Sequence, residues 1–145
     1  MLFRSFFIEA MVEAAVKGVD GLEAGRWEID HGGPSYTADT LALLQDEYPG
    51  ATLFTIMGDD AAAGFETWER HAEVAQRSQL VVVDRPGAAT ALPVGYQWHV
   101  VEVPRLEVSS SDLRDRAASG RPLDFLVTDP VLRVIRERRL YAEAS

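Results

Sequence analysis

The sequence predicts an α/β domain built on a mainly parallel sheet. The runs Ala51-Thr52-Leu53-Phe54-Thr55-Ile56-Met57 and Leu80-Val81-Val82-Val83 are short and almost uninterruptedly apolar, the pattern of strands buried on both faces. Stretches with apolar residues at helical spacing separate and flank them, and strands alternating with helices imply parallel pairing. Each strand-like run also leads into a polar segment: Gly58-Asp59-Asp60, Asp84-Arg85-Pro86-Gly87 and, after a third run, Ser109 to Arg114. Ligands of open α/β sheets bind beyond the carboxyl ends of the strands, so these three segments are the candidate site.

The elements follow in order. Phe6, Phe7, Ala10, Met11, Ala14 and Ala15 recur at helical spacing and predict an amphipathic helix to about Lys17. Its polar face carries Glu9 and Glu13 rather than a row of lysines, which favours packing on a core over lying on a membrane. Leu22, Trp27 and Ile29 predict a short strand, ended by the turn His31-Gly32-Gly33-Pro34. Ser35-Tyr36-Thr37 leads into a helix that uses Leu41, Leu44 and Tyr48 and stops at Pro49-Gly50. After the strand at 51–57, the Gly58 turn enters a helical region containing Trp68, Ala72, Val74 and Ala75. The strand at 80–83 closes at Asp84, and a loop rich in alanine, proline and glycine precedes the third strand, with Trp98, Val100, Val101 and Val103. Asp129-Pro130 starts the last helix with a capping side chain and a proline in the first turn. Val131, Leu132, Ile135 and Leu140 supply its apolar side.

Val108-Ser109-Ser110-Ser111-Asp112-Leu113-Arg114 opens the helix after the third strand. Hydroxyls there can cap free backbone N–H groups, and Asp112 stands three places after Ser109, the spacing of a capping box. The remaining N–H groups and the helix dipole favour an anion. Arg114, one turn in, adds a planar fork of donors suited to phosphate oxygens. Taken alone, the same pattern also describes an ordinary capped helix.

Size and charge narrow the function. The chain has 145 residues, enough for a single domain spanning 1–145 with a real core. Its composition, 47% apolar and 26% charged, is that of a globular protein rather than a disordered one. A net charge of −9 argues against a broad grip on nucleic acid. A local basic pocket for one nucleotide is still compatible with it, built from Arg70, Arg85, Arg105 and Arg114. The absence of cysteine excludes disulfides and thiolate metal sites and fits a reducing, cytoplasmic setting. The apolar start, Met1 to Ile8, is broken by Glu9, is too short to span a bilayer and lacks a signal-peptide cleavage pattern, so no membrane partner is expected. A homo-oligomer stays open.

The polar segments carry a family resemblance. Gly33-Pro34-Ser35-Tyr36-Thr37-Ala38-Asp39-Thr40-Leu41 resembles the G-x-S/T-Y-T-x-x-T-L segment of bacterial nicotinate-nucleotide adenylyltransferases. Met57-Gly58-Asp59-Asp60-Ala61, with Thr67-Trp68, is similar to that family's G-x-D followed by a tryptophan. Arg85-Pro86-Gly87 and Val108 to Arg114 resemble its R-P-G turn and its I-S-S-T-x-I-R motif. Leu123, Pro130-Val131 and Leu140-Tyr141 resemble its C-terminal ending. The likeness runs from about residue 9 to residue 141. The serine–arginine motif is shared with other nucleotidyltransferases, but four motifs in this order are specific.

The resemblance implies a Rossmann-like nucleotidyltransferase fold. It also implies transfer of the adenylyl group of ATP to nicotinate mononucleotide, giving nicotinate adenine dinucleotide (NaAD) and pyrophosphate in NAD biosynthesis. Ser109, Ser110 and Arg114 would hold the triphosphate, aided by Mg2+ that arrives with ATP. Gly58 and Asp60 would approach the adenosine ribose. Arg85 either faces a phosphate or fixes its turn. Trp68 would stack on the pyridine ring, with Tyr36 and Thr37 sharing that site; a large core residue is the other reading of Trp68. Glu69 beside it would repel an anionic ligand unless it points away.

The family's opening strand–helix motif, G-G-T-F-D-P followed by H-x-G-H, does not occur here. The three histidines are His31, His71 and His99. His31 reads as a turn residue, and the other two as surface or helix-face residues, so no catalytic residue is assigned. An N-terminally incomplete enzyme is the favoured explanation, with little turnover expected from these 145 residues alone. The alternatives are a non-catalytic nucleotide-binding module and another adenylyltransferase, such as one acting on phosphopantetheine.

Overall fold

A computed structural model describes residues 2–84, 91–104 and 108–141. In chain order its helices are α1 (Leu2–Val16), α2 (Trp27–His31), α3 (Thr37–Glu47), α4 (Asp59–Ala63), α5 (His71–Arg77), α6 (Ser110–Ala118) and α7 (Asp129–Glu137). Its strands are β1 (Phe54–Gly58), β2 (Gln79–Asp84) and β3 (Trp98–Glu102). The chain divides into two compact units, residues 30–106 and residues 1–29 with 107–145.

The unit of residues 30–106 holds the sheet, in the order β1-β2-β3 with both pairings parallel. Met57 pairs with Val82, and Leu80 with Trp98, which puts these side chains on one face. Met57, Leu80 and Val82 bury there against Ala38 and Leu41 of α3, Ala62 of α4, Val74 of α5 and Phe65, which lies between α4 and α5. On the opposite face the β1 side chains are exposed. Phe54 is 54% exposed and Ile56 68% exposed, so the run at 51–57 is not buried on both sides as its composition predicts. The reason is that the buried apolar helix residues of this unit cluster with the Met57–Leu80–Val82 face.

Two more expectations fail locally. The residues predicted to form a strand near Trp27 form α2 instead. Trp27 and Ile29 fit strand alternation, but the Ile29 amide bonds back to the Arg26 carbonyl at 2.9 Å and closes a turn. The Trp27 ring also folds over Gly25, where a Cβ would run into ring carbon Cζ3. Trp68 is likewise not helical. After α4 the chain passes through a short 3-10 turn, Phe65–Thr67, that carries Phe65 fully into the core. Trp68 is extended, and Arg70 adopts a left-handed conformation (φ 54°) before α5 begins.

The other unit is helical. Leu123, Leu132, Ile135 and Leu140 form its core, with Phe7 and Met11 of α1 and Leu113 and Ala117 of α6 packed on it. Leu140 is buried although it lies past the end of α7. Pro130 occupies the first turn as expected, but Thr128 rather than Asp129 holds the cap position, and no side chain closes it. Glu9, expected on a polar face, is only 8% exposed because Arg26 reaches it as an ion-pair partner. Burying a carboxylate is tolerable only with such a partner, and Ile8 and Val12 take exposed positions in its place.

Candidate functional site

Tyr36 stands at the N-cap position of α3 with an extended backbone, and its carbonyl receives the amides of Asp39 and Thr40 at 2.9 and 3.2 Å. No side chain caps this helix start. Tyr36 is 41% exposed and Thr37 is half-buried, while Ala38 and Leu41 anchor α3 in the core. The first turn therefore has a fixed base and an accessible rim.

An ion pair connects this turn to the tryptophan segment. Arg70 Nη2 lies 2.5 Å from Asp39 Oδ1 and Arg70 Nη1 3.7 Å from Glu73. The hydrogen bond to Asp39 raises the Arg70 pKa above its ordinary value, against a smaller opposing effect of burial. Asp39 belongs to the segment carrying Tyr36 and Thr37, and Arg70 follows Trp68 by two places. The two halves of the expected mononucleotide site are thus tied together by α3 and the turn before α5.

Trp68 is half-buried and packs on the core. Its ring centroid lies 5.4 Å from that of Phe65, with the planes tilted by 55°. Phe65 is the hub of an aromatic cluster that also takes in His71, Tyr96 and Trp98, at centroid distances of 6.0, 5.1 and 5.4 Å. Tilted and edge-on contacts of this kind suit the ring quadrupoles. Glu69 is exposed. His71, expected as a surface or helix-face residue, instead sits in this cluster with its ring nitrogen 2.6 Å from the Tyr96 hydroxyl. The sequence offered little sign of this. Tyr96 lies in a loop without periodicity, and the contact spans distant parts of the chain. His31 ends α2, and His99 is exposed on β3.

Gly58 closes β1 and leads into α4. Its backbone is ordinary (φ −75°), so glycine is not required by conformation. A Cβ placed there would meet nothing within 4 Å, so open space lies beside this backbone. Asp59 is buried at 6% exposure and its carboxylate accepts the Asp60 amide at 3.0 Å, whereas Asp60 is exposed. Asp59 is therefore committed to the turn, and Asp60 presents the solvent-facing carboxylate. Arg85 and Arg105 lie outside the described residues, as do Pro86 and Gly87.

In the helical unit, Ser109 caps α6: its hydroxyl oxygen accepts the Asp112 amide at 3.1 Å. The Asp112 carboxylate turns instead to Arg116, accepting from Nε at 2.8 Å. This leaves the amides of Ser110 and Ser111 at the helix mouth, where no intrahelical acceptor exists. Arg114 donates to the Ser111 hydroxyl at 3.1 Å, and Ser109, Ser110 and Arg114 are all exposed. Leu113 and Ala117 seat the helix in the core, so its mouth is held from behind. Among the described residues no group of three His, Cys, Asp or Glu side chains is placed to hold a metal, and no helix is long and apolar enough to cross a membrane.

No protein-family model matches the chain. Individual relatives do. A Frankia casuarinae protein named "Probable nicotinate-nucleotide adenylyltransferase" is 42% identical over 138 residues, covering 93% of this chain and 73% of the relative. A protein of the same name from Corynebacterium kroppenstedtii is 43% identical over 120 residues, covering 80% of this chain and 57% of the relative. The Plasmodium falciparum nicotinic acid mononucleotide adenylyltransferase complexed with NaAD shares the fold at a TM-score of 0.60 and 15% identity, covering 77% of this chain and 59% of that one. The class is thus an α/β nucleotidyltransferase with a parallel sheet. At the level of sequence, the chain belongs to the nicotinate-nucleotide adenylyltransferase family. It spans from 57% to 73% of the length of the two relatives named here.

Proposed function

We propose that the chain binds nicotinate mononucleotide and ATP as part of a nicotinate-nucleotide adenylyltransferase of the cytoplasm, and that its two units are parts of one nucleotidyltransferase domain. The observation that carries the reading is the Arg70–Asp39 pair, which joins the Tyr36–Thr37 turn to the Trp68 turn. A flat indole and a helix start are what a pyridine ring with a carboxylate calls for: the ring stacks and the amides receive the charge. The match to the Frankia casuarinae relative over 93% of the chain, through both units, supports the single-domain reading.

In the proposed reaction the mononucleotide phosphate attacks the α-phosphorus of ATP in line and pyrophosphate leaves. Such a step needs alignment and neutralisation of phosphate charge more than covalent help. The amides of Ser110 and Ser111, the Ser109 and Ser110 hydroxyls and the Arg114 guanidinium supply donors for the triphosphate. Arg114 must exchange its contact with Ser111 for a phosphate oxygen, a stronger charge-assisted bond. Gly58 leaves room for the ribose and Asp60 accepts from its hydroxyls. Mg2+ enters as Mg-ATP, held by the phosphates, since it is commonly bound through substrate phosphates rather than a protein cage.

Thermal unfolding with added ligands separates this reading from the other adenylyltransferase. A ligand that binds only the folded state raises the melting temperature. Nicotinate mononucleotide is expected to raise it and phosphopantetheine to leave it unchanged; the reverse pattern overturns the proposal.

A further inference from the structure

The Trp68 turn is also held from a side that no sequence motif marks. The Tyr96 hydroxyl lies 2.6 Å from His71 Nδ1, and both rings stand edge-on to the buried ring of Phe65. The His71 amide in turn donates to the Trp68 carbonyl at 3.2 Å, so the histidine is bonded through its backbone to the tryptophan itself. Tyr96 has a defined seat. Gly95 before it takes a left-handed φ of 92°, and the Trp98 indole N–H donates to the Pro93 carbonyl at 3.1 Å, closing the loop on itself. The aromatic ring of Tyr96 is enough to fill its place against Phe65. What the hydroxyl adds is direction, because a hydrogen bond fixes the imidazole where ring packing alone leaves it free to turn.

We propose that Tyr96, through its hydrogen bond to His71, is a positioning residue for Trp68, holding the indole in the orientation that receives the pyridine ring of nicotinate mononucleotide. This rests on the assignment of Trp68 to that ring.

Calorimetric titration of nicotinate mononucleotide and of ATP into the 145-residue chain tests it, with the variants Tyr96→Phe, His71→Asn and Trp68→Ala. Tyr96→Phe keeps the ring and removes one hydrogen bond. It is expected to weaken the mononucleotide about five- to tenfold, with ATP affinity unchanged and at most a small drop in melting temperature. His71→Asn places an amide where Nδ1 lies and is expected to retain wild-type affinity. Wild-type affinity in Tyr96→Phe, alongside its loss in Trp68→Ala, overturns the positioning role alone. Equal weakening of both ligands by Tyr96→Phe also overturns it, since that marks general loosening. If Trp68→Ala binds the mononucleotide as wild type does, or wild type does not bind it, the site falls and this inference with it.

Discussion

Arg70 and Asp39 are 2.5 Å apart across two turns that are distant in sequence, and between them they fix the separation of the Tyr36–Thr37 helix start from Trp68. The pair is solvent-accessible, so its contribution to global stability is small. Its proposed value is local geometry. Arg70→Ala is therefore expected to weaken nicotinate mononucleotide more than ATP while leaving the unfolding midpoint nearly unchanged. The exchange of both charges, Asp39→Arg with Arg70→Asp, is expected to recover part of the loss, measured by titration of each ligand in a double-mutant cycle.

Ser109 is a measurable cap. Its hydroxyl accepts the Asp112 amide, and Asp112 itself is committed to Arg116, so no reciprocal bond compensates. Ser109→Ala is expected to destabilise the chain by about 0.5–2 kcal/mol in urea unfolding. It is also expected to lower ATP affinity, because the helix mouth loses both a hydroxyl and its order. Ser109→Asp should restore the cap yet repel the triphosphate, so stability and ATP affinity part company in that variant.

Phe65 carries the tryptophan turn. It has no exposed surface and touches the rings of Trp68, His71, Tyr96 and Trp98. Phe65→Ala is expected to cost about 3–5 kcal/mol by cavity formation, read from chemical denaturation. Phe65→Leu, which retains more of the volume, should cost less in stability and still weaken the mononucleotide through a loosened Trp68.

Much of this was legible in the sequence, and the exceptions have physical reasons. The strands at 54–58, 79–84 and 98–102 stand close to where apolar runs place them, because strand length and composition are local properties. The Ser109 cap was equally readable from its hydroxyl, whereas the reciprocal half expected from the Asp112 spacing is absent because that carboxylate pairs with Arg116. Trp27 misled because two apolar residues at alternate positions fit a strand and a single helical turn alike. Glu9 misled because its partner, Arg26, arrives from a loop whose path no periodicity records. The exposed face of β1 was invisible for a related reason: composition says that Phe54 and Ile56 are apolar, not whether a helix lies over them. At the proposed site, the residues of the ordered motifs could be nominated from the sequence by their chemistry and order. Tyr96 and His71 were not, since a tertiary hydrogen bond between unpatterned residues leaves no trace in spacing.

The proposed function requires two separable ligand sites on this chain, a pyridine platform at Trp68 and a triphosphate seat at Arg114. Crossed calorimetric titrations of nicotinate mononucleotide and ATP into Trp68→Ala and Arg114→Ala test it most directly. Trp68→Ala is expected to lose the mononucleotide and keep ATP. Arg114→Ala is expected to lose about 1.5–3 kcal/mol of ATP binding, the worth of a hydrogen bond to a charged group, and keep the mononucleotide. Equal weakening of both ligands by both variants, or wild-type affinity for ATP in Arg114→Ala, contradicts the account.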